Sequence, residues 1–172
     1  MKKILLAAVV MVMSLAAKAQ NEVGQITLKP LVGINLANVT DIDDADMRVG
    51  LAAGVEAEYG IAEKFGVTAG AIYSMQGIKD GKLDYINIPI LANYYVIPGL
   101  AIKAGVQPAF NVGHEDGADP KSFDLAIPVG ASYEFNSFVL DARYNFGVTK
   151  IADFGDSKNS VFQITLGYKF SL

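Results

Sequence analysis

Residues 138–148 read FVLDARYNFGV, and the alternation in this stretch decides the fold. One parity is apolar throughout, and its members are Phe138, Leu140, Ala142, Tyr144, Phe146 and Val148. The other parity is mostly small or polar, and its members are Val139, Asp141, Arg143, Asn145 and Gly147. A period of two residues is typical of a β-strand with one face against apolar surroundings.

The same alternation recurs along the chain and predicts eight strands. We place them at residues 25–36, 49–59, 65–76, 83–96, 100–111, 123–135, 138–148 and 160–171. These lengths slightly exceed the roughly 9–11 residues that a tilted strand needs to cross a bilayer.

Charged residues inside the predicted strands fall on the polar parity. The nine are Lys29, Glu56, Glu58, Lys103, Asp124, Glu134, Asp141, Arg143 and Lys169. Asp84 breaks the pattern at the start of its segment, beside a predicted loop. Every predicted strand therefore has an apolar face that carries no charge over most of its length.

The polar parity is rich in Gly, Ala, Thr, Ser and Asn, which fit a narrow lumen better than a soluble surface, where Lys and Glu are far more common. Val, Ile, Leu and Phe would then face lipid, where a charge at mid-bilayer costs about 2–4 kcal/mol. An open sheet edge in hydrocarbon would leave backbone groups unpaired, so the sheet must close. The sequence predicts an all-β fold, an eight-stranded antiparallel up-and-down transmembrane β-barrel.

The predicted connections alternate between long and short. The long ones are 37–48, 77–82, 112–122 and 149–159, and the short ones are 60–64, 97–99 and 136–137, as outer loops and periplasmic turns are in outer-membrane barrels. Aromatic residues gather beside the short turns and predict an interfacial girdle. Its members are Tyr59, Phe65, Tyr94, Tyr95, Phe135, Phe138, Tyr168 and Phe170.

Residues 1–19 have the three parts of a secretory signal peptide: a basic start at Lys2 and Lys3, an apolar stretch, and a small-x-small cleavage signal at 17–19. We predict a barrel domain over 20–172 in the outer membrane, with both termini in the periplasm.

The chain has no Cys, which excludes disulfides and cysteine nucleophiles. Its formal net charge of −4 gives no basic field for nucleic acid.

Several stretches resemble the PorT-type family of small Gram-negative outer-membrane barrels. They are LDYINIPILANYY (83–95), KPLVGINLANVTD (29–41), LDARYNFGVTKI (140–151) and FQITLGYKF (162–170). The resemblance covers nearly the whole chain after residue 19 and implies the fold and the location, but little about activity. Phe170 resembles the strand-end signal that the barrel assembly machinery reads, although Ser171 and Leu172 follow it here.

The luminal charges are nearly balanced, which suggests an ion-paired plug. Arg143 is the predicted hub because its planar fork can hold two carboxylates, here Glu56, Asp141 or Glu134. The alternative is that these groups line a narrow polar or proton-conducting path. Eight strands leave room for side chains or one small ligand in the lumen.

No catalytic, cofactor or metal site is predicted. Asp41, Asp43, Asp44 and Asp46 fail the EF-hand spacing and read as a solvated acidic loop, with loose divalent-ion bridging to lipopolysaccharide as the alternative. His114, the only histidine, lies in a Gly/Asp/Pro loop with Ser122 as the nearest serine, without a visible triad.

Pro89, Pro108 and Pro128 fall inside strands and predict bulges or local bends.

The sequence thus favours a monomeric, non-enzymatic protein with a plugged lumen and acidic surface loops, in a structural or interaction role in the cell envelope. Its predicted partners are outer-membrane lipid, lipopolysaccharide, the assembly machinery and a possible extracellular or envelope protein. The alternatives are a narrow pore for ions or small solutes and an enzyme that modifies lipid A.

Overall fold

The computed structural model describes residues 22–39, 48–78, 81–114, 122–149 and 159–172. Within these ranges the chain forms ten β-strands. They are β1 (Ile26–Val39), β2 (Arg48–Ala62), β3 (Phe65–Ile78), β4 (Gly81–Asn87), β5 (Ile90–Ile97), β6 (Leu100–His114), β7 (Phe123–Phe135), β8 (Phe138–Gly147), β9 (Asn159–Tyr168) and β10 (Phe170–Ser171). No helix in these ranges is long and apolar enough to span a membrane.

The ten strands make a closed antiparallel barrel with eight strands in its wall. β4 and β5 lie end to end between β3 and β6, and β10 continues β9 alongside β1. β1 pairs with β9 from Leu31↔Gly167 to Val39↔Asn159, and this pairing closes the sheet. The predicted fold class is confirmed, and each predicted strand overlaps its observed counterpart along most of its length.

The barrel has two distinct ends. The turn end holds the connections 63–64, 98–99 and 136–137 together with the last strand residues before the C-terminus. At the opposite loop end, the strands are joined through residues 40–47, 79–80, 115–121 and 150–158, which lie outside the described residues. The connection predicted over 77–82 is shorter than expected, because β3 and β4 stay paired as far as Ile78↔Gly81.

Side chains alternate between the interior and the outer face. In β7, for example, Asp124 and Glu134 are buried, whereas Ile127 and Val129 are each 44% exposed on the outside. In β8, Arg143 is 1% exposed and Leu140 is 53% exposed. The molecule is therefore polar inside and apolar outside, which is the arrangement that the parity of charges predicts.

The strand prolines were predicted to mark bulges or local bends, and the structure contradicts the bulges. Ile88 and Pro89 interrupt the wall between β4 and β5, yet β3 pairs on both sides of the break in one register, with Ile72↔Asn87 and Ala69↔Ile90. Ile88 N–H still donates to Pro108 O at 2.8 Å.

The register also runs unshifted past Pro128, from Ala104↔Val129 to Gln107↔Ala126. Proline here removes a donor from the ladder without adding a residue to it. The register shifts among the described pairs lie elsewhere, at Gly60–Ala62, Asp84–Tyr85 and Tyr95–Ile97.

Candidate functional site

The interior of the barrel collects the charged side chains. All nine residues predicted to be luminal point inward; seven are buried and two, Glu58 and Lys169, are partly buried. Arg48 is a further inward cation, 8% exposed, which the predicted strand start at residue 49 left out. Extending the parity of that strand by one position would have found it.

Five of these charges form a continuous network that joins distant wall strands. Lys29 Nζ lies 2.7 Å from Glu56 Oε2, and Glu56 Oε1 lies 2.8 Å from Arg143 Nη1. Arg143 Nε donates to Asp141 Oδ1 at 2.8 Å, and Lys103 Nζ donates to Asp141 Oδ2 at 2.7 Å. Because β1 and β2 hold one end, β8 the middle and β6 the other end, the network reaches across the lumen.

Arg143 occupies the centre of this network. Of the three carboxylates predicted as its partners, the structure brings Glu56 and Asp141 to it, while Glu134 pairs instead with Lys169 at 2.7 Å. Asp141 and Arg143 are two residues apart on one strand, so both project from the same face. The Arg143 side chain therefore joins a carboxylate of its own strand to one from across the barrel.

Two glycines let the central side chains lie close to the wall. Gly70 is the register partner of Glu56, and a Cβ on it would stand 2.7 Å from Glu56 Cγ. Gly130 lies between Lys103 and Arg143 in the ladder, and a Cβ there would stand 2.7 Å from Arg143 Cβ and 2.3 Å from Ala142 O. Larger residues at these positions would displace the ion pairs or the backbone.

The turn end of the lumen holds a second set of polar contacts. Tyr95 Oη donates to Glu58 Oε1 at 2.7 Å, and Asn93 Nδ2 donates to Thr68 Oγ1 at 2.7 Å. Glu58, Thr68 and Tyr95 line a cavity of about 10 Å³ that also borders the five-charge network. That space suffices for about one water molecule.

Asp84, the exception in the sequence pattern, is anchored at the loop end. Tyr73 Oη donates to Asp84 Oδ2 at 2.8 Å, and Arg48 Nη2 lies 3.4 Å from Asp84 Oδ1. Asp84 belongs to the outward-facing parity of β4. The register shifts between Asp84 and Tyr85, close to the loop-end rim of the barrel. A polar partner on each side explains how the wall tolerates an outward carboxylate there.

Seven of the eight predicted girdle residues lie on the outer face near the turn end. They are Tyr59, Phe65, Tyr94, Phe135, Phe138, Tyr168 and Phe170. Neighbouring rings meet, with centroids 4.9 Å apart for Phe65 and Tyr94 and 5.2 Å apart for Phe138 and Tyr168. Tyr95 is not a girdle residue; it is 6% exposed and faces the lumen, because it follows the outward Tyr94 in the strand.

The other sequence candidates fall largely beyond the described part of the chain. Residues Asp41, Asp43, Asp44 and Asp46 lie outside it, and of His114 only the backbone, at the end of β6, is described. Within the described ranges, no three His, Asp or Glu side chains are grouped so that they could hold a metal ion.

A closed barrel with an ion-paired interior and an apolar outer face defines a class, the small membrane-spanning β-barrels. The family model described as "Outer membrane protein beta-barrel domain" matches residues 5–170. The chain therefore belongs to this family and is a protein of the outer membrane. A comparison with curated proteins gives no match.

Solved structures show the same fold. Ail, the attachment invasion locus protein of Yersinia pestis, is 16% identical over 87% of this chain and 100% of its own, with a TM-score of 0.56. Neisserial surface protein A is 15% identical over 84% of this chain and 97% of its own, also with a TM-score of 0.56. The N-terminal β-barrel domain of Pseudomonas aeruginosa OprF is 12% identical over 86% and 98% of the two chains, with a TM-score of 0.52.

Proposed function

We propose that this outer-membrane protein is a plugged barrel that holds acidic loops at the cell surface, in a structural or interaction role. The observation that carries the proposal is the network of Lys29, Glu56, Arg143, Asp141 and Lys103. Each of its four ion contacts is 2.7–2.8 Å long, and the side chains are almost completely buried. Charges that are locked in pairs across a narrow lumen leave no free path for a hydrated ion.

The network resists opening for an energetic reason. Removing one partner of a buried ion pair leaves an uncompensated charge and costs about 3–5 kcal/mol. Arg143 and Asp141 each contact two opposite charges, so an ion that entered would have to break more than one contact at once. The barrel would therefore serve as an anchor for its loops rather than as a channel.

The acidic loops suggest that a partner would be positively charged or bound through cations. Residues 40–47 contain four Asp and no basic residue, and residues 115–121 contain Glu115, Asp116 and Asp119 with one Lys. A basic protein surface, or lipopolysaccharide bridged through divalent cations, would complement them. Ail has been crystallised with the heparin analogue sucrose octasulfate. The loops at 40–47 and 115–121 of this chain are acidic and would repel such a polyanion.

Conductance in planar lipid bilayers tests the plug. The wild-type protein should insert without stable single-channel steps, whereas Glu56→Ala combined with Arg143→Ala, which empties the middle of the network, should produce them. Glu63→Ala, an exposed carboxylate in the turn 63–64, is the matched control and should remain silent. Stable steps from the wild-type protein would instead make it a narrow pore.

The remaining predictions are part of the same proposal. We infer that residues 1–19 are removed on export, that the barrel is monomeric, and that it belongs to the PorT-type branch, whose resemblance is strongest at 83–95 and 140–151. We also infer that the protein is not an enzyme, so His114→Ala should leave the acylation pattern of lipid A unchanged. Mass spectrometry of the mature protein checks the cleavage site.

A further inference from the structure

Three prolines lie close together in the wall on one side of the barrel. Pro89 lies between β4 and β5, Pro108 lies in β6 and Pro128 lies in β7, so three successive wall strands each contain one. Pro108 is the register partner of Leu125, which lies near Pro128 on the same strand. Because proline has no N–H, each of them removes a ladder bond if its nitrogen faces a paired strand.

The direction of the first two nitrogens follows from the carbonyls of the same residues. The N–H and C=O of a strand residue face the same neighbouring strand. Pro89 O accepts from Gly70 N–H at 3.1 Å, so Pro89 faces β3. Pro108 O accepts from Ile88 N–H at 2.8 Å, so Pro108 faces the wall strand made by β4 and β5. The return bonds to Gly70 O and Ile88 O are therefore missing.

The third nitrogen faces β6. Leu125 O accepts from Val148 N–H, which lies just beyond β8, so Leu125 faces β8. Successive residues of a strand face opposite neighbours, which turns Pro128 toward β6. There it lies opposite Gly105, and the carbonyl of Gly105 loses its ladder donor. All three missing donors thus belong inside the wall rather than at a free edge.

The ladders between these strands are interrupted at the prolines. Two successive pairs are skipped between β3 and the β4–β5 strand, between that strand and β6, and between β6 and β7. The skipped residues of the three proline-bearing strands are 88–89, 105–108 and 127–128, and we call them the proline seam. Within the seam, β6 is weakly held on both of its edges.

The rest of the described wall differs from the seam. The β1–β2, β7–β8 and β8–β9 ladders run without a gap. A fourth proline, Pro30, interrupts the wall where β1 passes from its pairing with β10 to its pairing with β9. That gap stands alone, because the β1–β2 ladder beside it is continuous. Only at the seam do interruptions fall in three adjoining ladders of the described residues.

The seam is closed on both sides. Toward the turn end, Lys103 Nζ on β6 lies 2.7 Å from Asp141 Oδ2 on β8, so this ion pair bridges over β7. Toward the loop end, β6 and β7 pair again as far as Phe110↔Phe123, whose ring centroids are 5.7 Å apart. The seam is therefore a bounded stretch of wall and not the end of a sheet.

We propose that the proline seam is a site of local strand separation, where β6 parts from β7 and rejoins it while the rest of the wall stays paired. Local opening occurs where few hydrogen bonds have to break together. A carbonyl that faces hydrocarbon cannot turn to water for a donor, so the paired state is least favoured where ladder donors are missing. The proposal does not depend on whether the lumen conducts, because it concerns the wall.

Amide hydrogen exchange, measured residue by residue by nuclear magnetic resonance on the intact barrel in detergent micelles, tests the proposal. The backbone N–H groups of Gly105 and Gln107 face β7, because the alternate residue Pro108 faces the other way. They should exchange about tenfold or more faster than those of Arg143 and Gln163, which are register partners in the continuous β8–β9 ladder. Equal protection at the two sites would overturn the proposal.

Restoring a donor tests the cause of the opening. Pro128→Ala supplies the missing N–H and should slow exchange at Gly105 by about tenfold, with no change at Arg143 and Gln163. Pro98→Ala is the matched control, because Pro98 lies in the turn 98–99 outside the ladders, and it should leave exchange at Gly105 as it is.

A second variant covers the case in which Pro128→Ala does not fold. Pro108→Ala restores the donor toward Ile88 O and should slow exchange at Val106, which faces the same strand. If a folded variant at 108 or 128 left exchange in the seam as fast as in the wild-type protein, the missing donors would not be the cause of the opening and the proposal would be refuted.

Discussion

At the scale of single residues, strand parity predicts where a charge lies but not which charge it meets. The nine luminal residues could be assigned from alternation alone, because neighbours in a strand face opposite sides. Which carboxylate contacts Arg143 depends on the stagger of strands that are far apart in sequence: Glu56 reaches it, and Glu134 reaches Lys169. Only the closed barrel fixes that choice.

Charge counting within the network predicts unequal effects of removing its members. It holds three cations and two carboxylates, so Arg143→Met leaves two complete pairs, Lys29 with Glu56 and Lys103 with Asp141. Glu56→Gln instead leaves Lys29 without its carboxylate. We expect Glu56→Gln to lower the free energy of unfolding by about 3–5 kcal/mol and Arg143→Met by about 1–3 kcal/mol.

Urea unfolding in lipid vesicles, followed by far-ultraviolet circular dichroism, measures both variants. Glu63→Gln, in the exposed turn 63–64, is the control and should change stability by less than about 0.5 kcal/mol. If Arg143→Met lowered the free energy of unfolding more than Glu56→Gln, the balance of charges would not determine the stability of the network.

At the scale of elements, sequence signals located the strands better than their interruptions. Apolar alternation continues through Ile88 and Pro89, so the sequence predicts one strand over 83–96 where the structure has β4 and β5. The turn signals in 77–82 predicted a long loop, yet β3 and β4 remain paired to Ile78↔Gly81. Glycine and charged residues show where the apolar face of a strand ends. The backbone hydrogen bonds of the strand can continue beyond that point.

The turn between β7 and β8 gives a prediction at this scale. Asn136 has a φ of 55°, and it is the only non-glycine residue with a positive φ in the described part of the chain. Asparagine tolerates this left-handed conformation better than alanine, for which it costs about 1–2 kcal/mol. Asn136→Ala should therefore destabilise the barrel by about 1 kcal/mol, and Asn136→Gly should leave its stability unchanged or raise it.

The unfolding midpoints in urea distinguish these two variants. Ser137→Ala, at the adjacent turn residue with an ordinary backbone conformation, is the matched control. Equal midpoints for the alanine and glycine variants at 136 would mean that the backbone conformation of this turn does not limit stability.

At the scale of the whole molecule, the chain is an apolar shell around polar contents, and a soluble barrel would have the reverse arrangement. Its outer face exposes Val, Ile, Leu and Phe side chains along every wall strand, with ionised groups held inside. The sequence predicts this inversion because charge is absent from one parity over most of each strand. It could not predict the contact between Glu56 and Arg143, since this ion pair forms only once distant strands are brought together.

Lysine scanning by depth tests the membrane placement of this shell. Val129 lies midway along β7 and is 44% exposed on the outer face, whereas Val148 lies just beyond the loop end of β8 and is 42% exposed. In phospholipid vesicles, Val129→Lys should lower the free energy of unfolding by about 2–4 kcal/mol and Val148→Lys by about 0–1 kcal/mol, because the penalty follows depth in the hydrocarbon.

The two substitutions are chemically identical and start from similar exposure, so their difference isolates the effect of depth. Val129 should also be the more sensitive site in the yield of folded protein, seen as the heat-modifiable band on a semi-native gel. Pro128 and Gly130 face the lumen, so a side chain at position 129 faces outward. A lysine there would therefore place its charge in the hydrocarbon and could not turn into the polar lumen. Equal penalties at the two positions would mean that the middle of the outer face is not immersed in lipid.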